Sequence, residues 1–193
     1  AEIMRDEIKG DPDEKLKEYT EDIIGQSRRA HKIINNLLDF ARARKASNME
    51  KQDIVRIIKD SLNLVSNQFT VNNIKISKNL PDKPYFINGN RSKLEQVFVS
   101  IINNAFYAMP DTGTLTISAD PDEKTGFIQI KIYDNGKGIP EKDLKNIFEP
   151  FFTTKPPGEG TGLGLAVSRT LIKEHNGEIS VESKVDEGTT FII

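Results

Sequence analysis

The strongest constraint on the fold is a long uninterrupted helical segment near the start of the sequence. Residues 13 to 45 contain one glycine and no proline, and Asp11 and Pro12 just before them supply an N-cap and a first-turn proline. The segment predicts a helix of about 50 Å at 1.5 Å per residue. A chain of 193 residues is too small to cover such a helix with its own body.

One face of this helix is a stripe of small and apolar residues spaced in steps of four and three. The stripe consists of Leu16, Thr20, Ile23, Ser27, Ala30, Ile34, Leu37 and Ala41. Because such a stripe must be shielded by other helices, and residues 1–9 suggest the end of a preceding helix, residues 1–46 are predicted to form an antiparallel hairpin. We expect two hairpins to dimerise into a four-helix bundle. The alternative is a surface helix packed on its own domain.

Composition excludes several classes of partner and site. The 27 Lys and Arg residues balance 29 Asp and Glu, so the net charge of -2 predicts no nucleic-acid or membrane-surface binding. Cysteine is absent and the two histidines are far apart, so any metal must be bound by oxygen ligands. No apolar run is long enough to span a membrane, and no secretory leader opens the sequence. A cytoplasmic location is expected, which is compatible with a membrane anchor elsewhere in a longer protein.

The remaining residues, 47–193, predict a second domain that mixes helices and strands. Helices are predicted over residues 53–70, 92–109 and 163–174, and strands over 74–77, 85–87, 115–119, 127–133, 179–183 and 189–193. Paired strands with helices between them predict an α+β fold. Its expected architecture is a two-layer sandwich, with a mixed, largely antiparallel sheet carrying helices on one face.

Familiar nucleotide and kinase motifs are absent. The Gly136-Lys137 pair lacks the first glycine of a Walker loop, and the glycines from Gly158 to Gly164 do not fit the dinucleotide pattern. Neither histidine begins the catalytic loop of a eukaryotic-type protein kinase. Three other segments are left to carry the chemistry.

The first segment is a polar seam on the helix predicted over residues 92–109. Gln96, Ser100, Asn104 and Tyr107 follow one another in steps of four, four and three on an otherwise apolar helix. An amide oxygen in a cleft suits Mg²⁺, which keeps most of its waters and takes further ligands from phosphates. The alternative is that the seam is the solvent face of an amphipathic helix.

The second segment runs from Asp134 to Pro140, directly after a predicted strand. Its glycines, Gly136 and Gly138, would let a flat base approach the backbone, and the carboxylate of Asp134 accepts only from donors. Adenine presents an exocyclic N–H where guanine presents an oxygen, so this site would select adenine. The alternative is an ordinary turn.

The third segment is a series of alternating glycines that leads into a helix. Gly158, Gly160, Gly162 and Gly164 precede the helix predicted over residues 163–174. Backbone N–H groups and the positive end of a helix form an anion site, so the series indicates phosphate binding. A flexible linker is the alternative.

In order and spacing, these segments resemble the catalytic domain of sensor histidine kinases. That domain belongs to the gyrase, Hsp90, histidine kinase and MutL superfamily of ATP-binding folds. Residues 94–109 resemble its N box, 134–140 its first glycine box, 147–155 its F box and 158–165 its second glycine box. Residues 11–45, especially 30–44, resemble the second helix of the dimerisation and phosphotransfer hairpin.

The resemblance implies a role for individual residues. It makes Asn104 the Mg²⁺ ligand and Asp134 the adenine-reading carboxylate, with Gly136 and Gly138 under the base and Thr190 near it. It places Thr154, Lys155 and Thr161 in a mobile lid, with Lys155 offsetting phosphate charge. The complete set of implied ATP-binding residues is Asn104, Tyr107, Asp134, Gly136, Gly138, Thr154, Lys155, Gly160, Thr161, Gly162, Leu163, Gly164 and Thr190.

The sequence departs from the family pattern in two places. Ser100 stands where the family usually has asparagine and its ATP-hydrolysing relatives have a water-activating glutamate, so direct hydrolysis should be slow. No residue in 1–10 fits the phosphoacceptor histidine, which is expected to lie before Ala1. His31 is expected to be a helix-surface residue. His175 is expected at a helix C-terminus, as a partly cationic ring without a catalytic role.

The resemblance therefore implies the catalytic portion of a two-component sensor histidine kinase. Such a protein would bind ATP with Mg²⁺, transfer the γ-phosphoryl group to a histidine of its dimerisation helix, and pass it to an aspartate of a response regulator. Its expected partners are a second copy of the chain and a response regulator receiver domain. The alternatives are a nucleotide-binding adaptor without catalysis and an ATP-driven clamp.

Overall fold

The structure is a computed structural model that describes residues 15–16, 18–27, 48–65, 73–156 and 159–193. Residues 15–16 and 18–27 are helical, as the sequence predicts for these positions. The rest of the predicted hairpin, including His31, lies outside the described residues. Among the helices that the structure describes, none is both long enough and apolar enough to cross a membrane.

In the described part of the chain, five strands form the main sheet. Numbered in chain order, its members are β2 (Ile74–Asn79), β4 (Gly113–Asp122), β5 (Phe127–Asp134), β6 (Ser180–Lys184) and β7 (Gly188–Ile192). Their spatial order is β2-β4-β5-β7-β6. The β2–β4 pair is parallel and the other three pairs are antiparallel. The predicted mixed, largely antiparallel sheet is confirmed.

Helices cover one face of this sheet and form the second layer. They are α1 (Ile54–Leu64), α2 (Arg91–Ala108) and α4 (Gly164–Glu174), with a four-residue helix α3 at Glu141–Leu144. Alternate strand residues, such as Leu115, Ile117 and Ile132, are almost fully buried, and they share one hydrophobic core with Val97 and Ile101 of α2, which are inaccessible to solvent. The alternate, inward-facing residues of the strands thus share the core with the apolar face of the helix. The predicted two-layer α+β fold is confirmed.

A two-stranded ribbon, which sequence patterns did not predict, precedes the main sheet. β1 (Glu50–Asp53) pairs antiparallel with β3 (Phe86–Gly89). Asp53 ends β1 and caps α1, because its carboxylate accepts from the backbone N–H groups of Val55 at 3.1 Å and Tyr85 at 3.2 Å. β1 is mostly polar, so it carries no apolar alternation that a sequence reading could detect.

Helix α1 ends earlier than predicted. The apolar pattern indicated a helix to residue 70, but α1 ends at Leu64, and the backbone N–H of Val65 closes its last turn on the carbonyl oxygens of Leu62 and Asn63. Residues 66–72 lie outside the described part of the chain. The apolar spacing behind the prediction ends at Val65, which is buried although it lies just beyond the last helical residue.

Polar contacts fix α2, which carries the predicted polar seam, to the neighbouring helices. Arg91 pairs with Asp60 of α1 at 2.6 Å, and Lys93 pairs with Glu174 of α4 at 2.7 Å. His175, just after α4, accepts the backbone N–H of Asn90 on Nε2 at 2.9 Å, and its Nδ1 lies 2.7 Å from the carbonyl oxygen of Leu171. His175 is the C-cap of α4, as the sequence predicts, and it joins this end of α4 to the start of α2. The partly cationic ring stays a prediction.

Candidate functional site

The most buried carboxylate of the described residues lies at the end of a central strand. Asp134 ends β5 and is only 3% exposed. Its carboxylate accepts the backbone N–H of Gly136 at 3.0 Å and that of Thr189, its partner residue on β7. Burial raises the pKa of Asp134 to about 6, and the two backbone hydrogen bonds oppose this shift only in part. The chain therefore maintains an acid at some cost beside a cavity.

This first cavity has a volume of about 150 Å³. Asp134 and Thr189 line it, as do further polar residues that include Lys137 and Asp143. The apolar part of the lining comes from Ala108, Ile139, Pro140, Ile147, Phe152, Leu165 and Phe191. An apolar slot beside the buried Asp134 carboxylate suits a flat heterocycle that carries an N–H donor.

The loop after Asp134 is held tightly between α2 and the β6–β7 hairpin. Gly138 lines the first cavity and has φ of +68°, and a Cβ added there would collide with the carbonyl group of Lys184. A Cβ added to Gly136 would lie 2.6 Å from the carbonyl oxygen of Ala108. The structure thus requires both glycines for backbone approach, and their predicted position under a base stays a prediction.

A second, larger cavity of about 410 Å³ adjoins the first. Both are lined by Asn104, Ile147, Phe152, Thr153, Lys155 and Leu165. The polar seam of α2 follows the two cavities, since Gln96 and Ser100 line the second, Tyr107 the first, and Asn104 both. These residues face a continuous cleft, which favours the functional interpretation of the seam over a purely solvent-facing one.

The predicted glycine series borders the second cavity. Its described lining residues are Gly160, Thr161, Gly162, Leu163 and Gly164. Gly162 has φ of +66° and accepts the backbone N–H of Phe151 at 2.9 Å. A Cβ at Gly164 would lie 2.7 Å from the Ser100 hydroxyl, so a glycine lets α4 begin directly beside α2. First-turn amides lack intrahelical partners, which places the positive end of α4 at this cavity.

A cluster of charged groups surrounds Tyr107 between the two cavities. The ammonium of Lys155 donates to Oδ1 of Asn104 at 3.3 Å and lies 4.1 Å from the centroid of the Tyr107 ring, where Lys137 lies at 4.6 Å. Desolvation raises the pKa of Tyr107, and the Glu159 carboxylate raises it further through its charge and a hydrogen bond. Sequence analysis assigned no role to Lys137 or Glu159, although each lies in one of the two glycine segments, because their proximity to Tyr107 depends on the fold.

Of the residues predicted for the lid and the adenine site, some line the two cavities and one does not. Thr154 and Lys155 line the first cavity and Thr161 the second. Thr190, predicted near the adenine, is paired with Tyr133 in the β5–β7 register and lines neither cavity. Its neighbour Thr189 takes that place, because side chains alternate between the faces of a strand. Period-two reasoning from Asp134 across the sheet could have identified Thr189.

The described residues can bind a magnesium ion only if water and phosphate supply most of its ligands. They contain no group of three His, Cys, Asp or Glu side chains able to hold a metal. The Asn104 Oδ1 lines both cavities and already faces a cation, the Lys155 ammonium. One protein oxygen supplemented by waters and phosphate oxygens is the arrangement that Mg²⁺ adopts in nucleotide sites.

Comparison with family models matches both parts of the chain. Residues 89–193 match the model "Histidine kinase-, DNA gyrase B-, and HSP90-like ATPase", and residues 1–46 match the "His Kinase A (phospho-acceptor) domain". Sporulation kinase A of Bacillus subtilis (strain 168) is 37% identical over 91% of this chain. The chain spans 28% of the length of that relative.

Solved structures have the same fold. The catalytic domain of histidine kinase ThkA is 26% identical, with a TM-score of 0.67 over 76% of this chain and 93% of that domain. ThkA in complex with the response regulator protein TrrA gives a TM-score of 0.76 at 24% identity, over 98% of this chain and 54% of the other. With a family model covering more than half of its length, the chain belongs to the histidine kinase-, DNA gyrase B- and HSP90-like ATPase family, and its resemblance to sensor histidine kinases is confirmed.

Proposed function

We propose that this chain is the ATP-binding and phosphotransfer portion of a protein-histidine kinase. It binds ATP with Mg²⁺ and transfers the γ-phosphoryl group to a histidine of the dimerisation hairpin, from which the group passes to an aspartate of a response regulator. The observation that carries the proposal is the buried Asp134 at the end of an apolar slot that continues into a glycine-bordered cavity.

Recognition of adenine rests on Asp134. Its carboxylate accepts the exocyclic N–H of adenine, whereas guanine presents an oxygen there and is repelled. The slot beside it, with Gly138 in its wall, holds the flat ring. Thr189 takes the position near the base that the sequence suggested for Thr190.

The polar seam and the glycine series bind the phosphates. The Asn104 amide oxygen is the protein ligand of Mg²⁺, which neutralises charge on the β- and γ-phosphates when it is bound. The amides of Gly160, Gly162 and Gly164 lie at the positive end of α4, where anions are favoured. Tyr107, Thr154, Lys155, Thr161 and Leu163 complete the wall.

Phosphoryl transfer is favoured over hydrolysis because no base stands on the seam. Ser100 occupies the position of the water-activating glutamate, and a hydroxyl does not take a proton from water at neutral pH. Among the described residues that line the second cavity, the carboxylate is that of Glu159, which is engaged by Tyr107. These observations disfavour the ATP-driven clamp, and a pure adaptor has no use for a destabilised Asp134.

Neither His31 nor His175 is the phosphoacceptor. The acceptor imidazole belongs to another residue of the dimerisation hairpin. His175 has both ring nitrogens occupied by backbone groups. His31 lies outside the described residues and lacks the sequence context of an acceptor. In the transfer, an imidazole nitrogen attacks the γ-phosphorus in line, an N–P bond forms, the bridging P–O bond breaks and ADP leaves.

The partners follow from the hairpin. Leu16, Ile23 and Ile24 are exposed on the described helical residues, which supports burial against other helices in a homodimer. The complex of ThkA with its response regulator supports a receiver domain as the second partner. We place the chain in the cytoplasm, where such a receiver would be found.

Calorimetry with ATP and GTP tests the nucleotide assignment. The parent protein is expected to bind ATP with Mg²⁺ at least tenfold more tightly than GTP, and Asn104→Ala is expected to lose most of the metal-dependent part of this affinity. Asn79→Ala, which removes an exposed amide at the end of β2 that lines neither cavity, is the control. Equal affinities for ATP and GTP would refute the role of Asp134.

Labelling with γ-phosphate-labelled ATP tests the transfer step. The chain is expected not to label itself but to phosphorylate a separately supplied first-helix segment that contains the acceptor histidine. Acid-labile label on His31 would refute the assignment of the acceptor to another segment.

A further inference from the structure

The proposed metal ligand is already engaged by a cation of the chain itself. The Lys155 ammonium donates to Oδ1 of Asn104 at 3.3 Å and rests on the Tyr107 ring at 4.1 Å. Asn104 and Tyr107 belong to α2, one of the best-buried helices of the described residues, whereas Lys155 belongs to the loop between α3 and α4. The contact therefore joins this loop to a fixed helix at the boundary of the two cavities.

Neighbouring contacts hold Lys155 in this position. The backbone N–H of Lys155 donates to the Thr153 hydroxyl at 3.2 Å. A Cβ at Gly160 would lie 3.1 Å from Cδ of Lys155, so the lysine stem packs against the glycine series. Glu159, from the same series, is hydrogen-bonded to Tyr107. The lysine and the glutamate thus approach one tyrosine from the same loop.

An ammonium and a divalent cation compete for this oxygen. The amide oxygen has two lone pairs, but two positive charges held at one oxygen repel each other strongly. Binding of the metal must therefore break the Lys155–Asn104 contact.

We propose that the Lys155 ammonium takes the place of the metal in the nucleotide-free protein. It binds the Asn104 oxygen that would otherwise bind Mg²⁺, and the divalent metal must displace it. The inference rests on the proposed function, because it needs Asn104 as the metal ligand. It differs from the role that the sequence implies for Lys155, in which the lysine only offsets phosphate charge.

The test compares ADP affinities measured by calorimetry in saturating Mg²⁺ and in excess chelator. ADP is used because it lacks the γ-phosphate, with which a released Lys155 could pair and so hide the effect. Lys155→Met keeps the length of the side chain without the charge, and it is expected to tighten binding of ADP with Mg²⁺ at least threefold. Lys173→Met removes one positive charge from the exposed last turn of α4, at a residue that lines neither cavity, and it is expected to change this affinity less than twofold.

Two results would overturn the inference. If Lys155→Met leaves the affinity for ADP with Mg²⁺ unchanged or weaker, Lys155 is a phosphate contact rather than a substitute cation. If both lysine variants tighten binding equally, the effect is one of net charge. A different result would refute the proposed function itself. That result is an ADP affinity of the parent that does not depend on Mg²⁺, or a dependence on Mg²⁺ that Asn104→Ala leaves unchanged.

Discussion

The imidazole of His175 accepts the backbone N–H of Asn90 at 2.9 Å and thereby joins the end of α4 to the start of α2, 85 residues earlier in the chain. Asn90 is the N-cap of α2, and its side chain also accepts the backbone N–H of Lys93. The histidine therefore supports the capping residue of the helix that carries the polar seam.

Replacement of His175 by alanine is expected to destabilise the protein. The half-buried N–H of Asn90 would lose its acceptor, which costs about 1–3 kcal/mol. Lys173→Ala, in the exposed last turn of the same helix, is the matched control and should change the unfolding free energy by less than about 0.5 kcal/mol. Urea unfolding measures both variants, and equal effects would show that the Asn90 contact contributes nothing.

Replacement of Asp134 by asparagine is expected to stabilise the protein at neutral pH. Burial raises the pKa of Asp134 from 3.8 to about 6, so between these pH values the folded state keeps a proton that the unfolded state has lost. The unfolding free energy of the parent therefore falls as pH rises through this window, by about 3 kcal/mol. Asp134→Asn lacks this loss.

The stability difference between Asp134→Asn and the parent should thus grow from pH 4 to pH 7 by about 2.4 kcal/mol. Urea unfolding at several pH values measures it, and other titrating groups cancel because both proteins contain them. A difference that stays constant with pH would contradict the raised pKa. The same variant should lose ATP binding, which would show that the site is maintained at the expense of stability.

Replacement of Gly138 by alanine is expected to lower the stability of the fold more than replacement of Gly126 by alanine, although both glycines have φ near +70°. A Cβ at Gly126 has no atom within 4 Å, so only the left-handed backbone is penalised, by about 1–2 kcal/mol. A Cβ at Gly138 must also displace the Lys184 carbonyl group. Thermal unfolding compares the two variants, and equal losses would mean that this close approach relaxes without cost.

Replacement of Glu159 by glutamine is expected to lower the pKa of Tyr107. The glutamate raises this pKa by its charge and by a hydrogen bond, but desolvation is the larger cause, so the pKa should fall without reaching the ordinary value. Ultraviolet difference titration follows the phenol, and Tyr107→Phe identifies its signal. Glu182→Gln, on β6, is the control, and a matching change in that variant would contradict the Glu159 contact.

Local patterns in the sequence predicted the parts of the fold that depend on periodicity. The alternation around Leu115 and Ile132 gave the β4–β5 hairpin, and the long apolar pattern gave α2 to within two residues at each end. Asp134 was found because it directly follows such a strand and is followed by glycines. In these places a single element decides the outcome.

Features that depend on distant contacts could not be predicted. β1 is a strand only because β3 lies beside it, and its residues carry no apolar alternation. Thr189, rather than Thr190, lines the cavity because of the β5–β7 register, and the hydrogen bond that His175 accepts comes from Asn90, 85 residues earlier. The contact of Lys155 with Asn104 joins residues 51 positions apart across a loop.

The register that pairs Asp134 with Thr189 also decides which residues of β5 face the hydrophobic core. Sliding β5 by a single residue along β7 would turn Asp134 outward, and it would also turn Ile130 and Ile132 toward water. A misaligned sheet is consequently penalised by lost apolar burial before any ligand is present. Any molecule of this chain that has folded at all has therefore already placed its carboxylate in the slot.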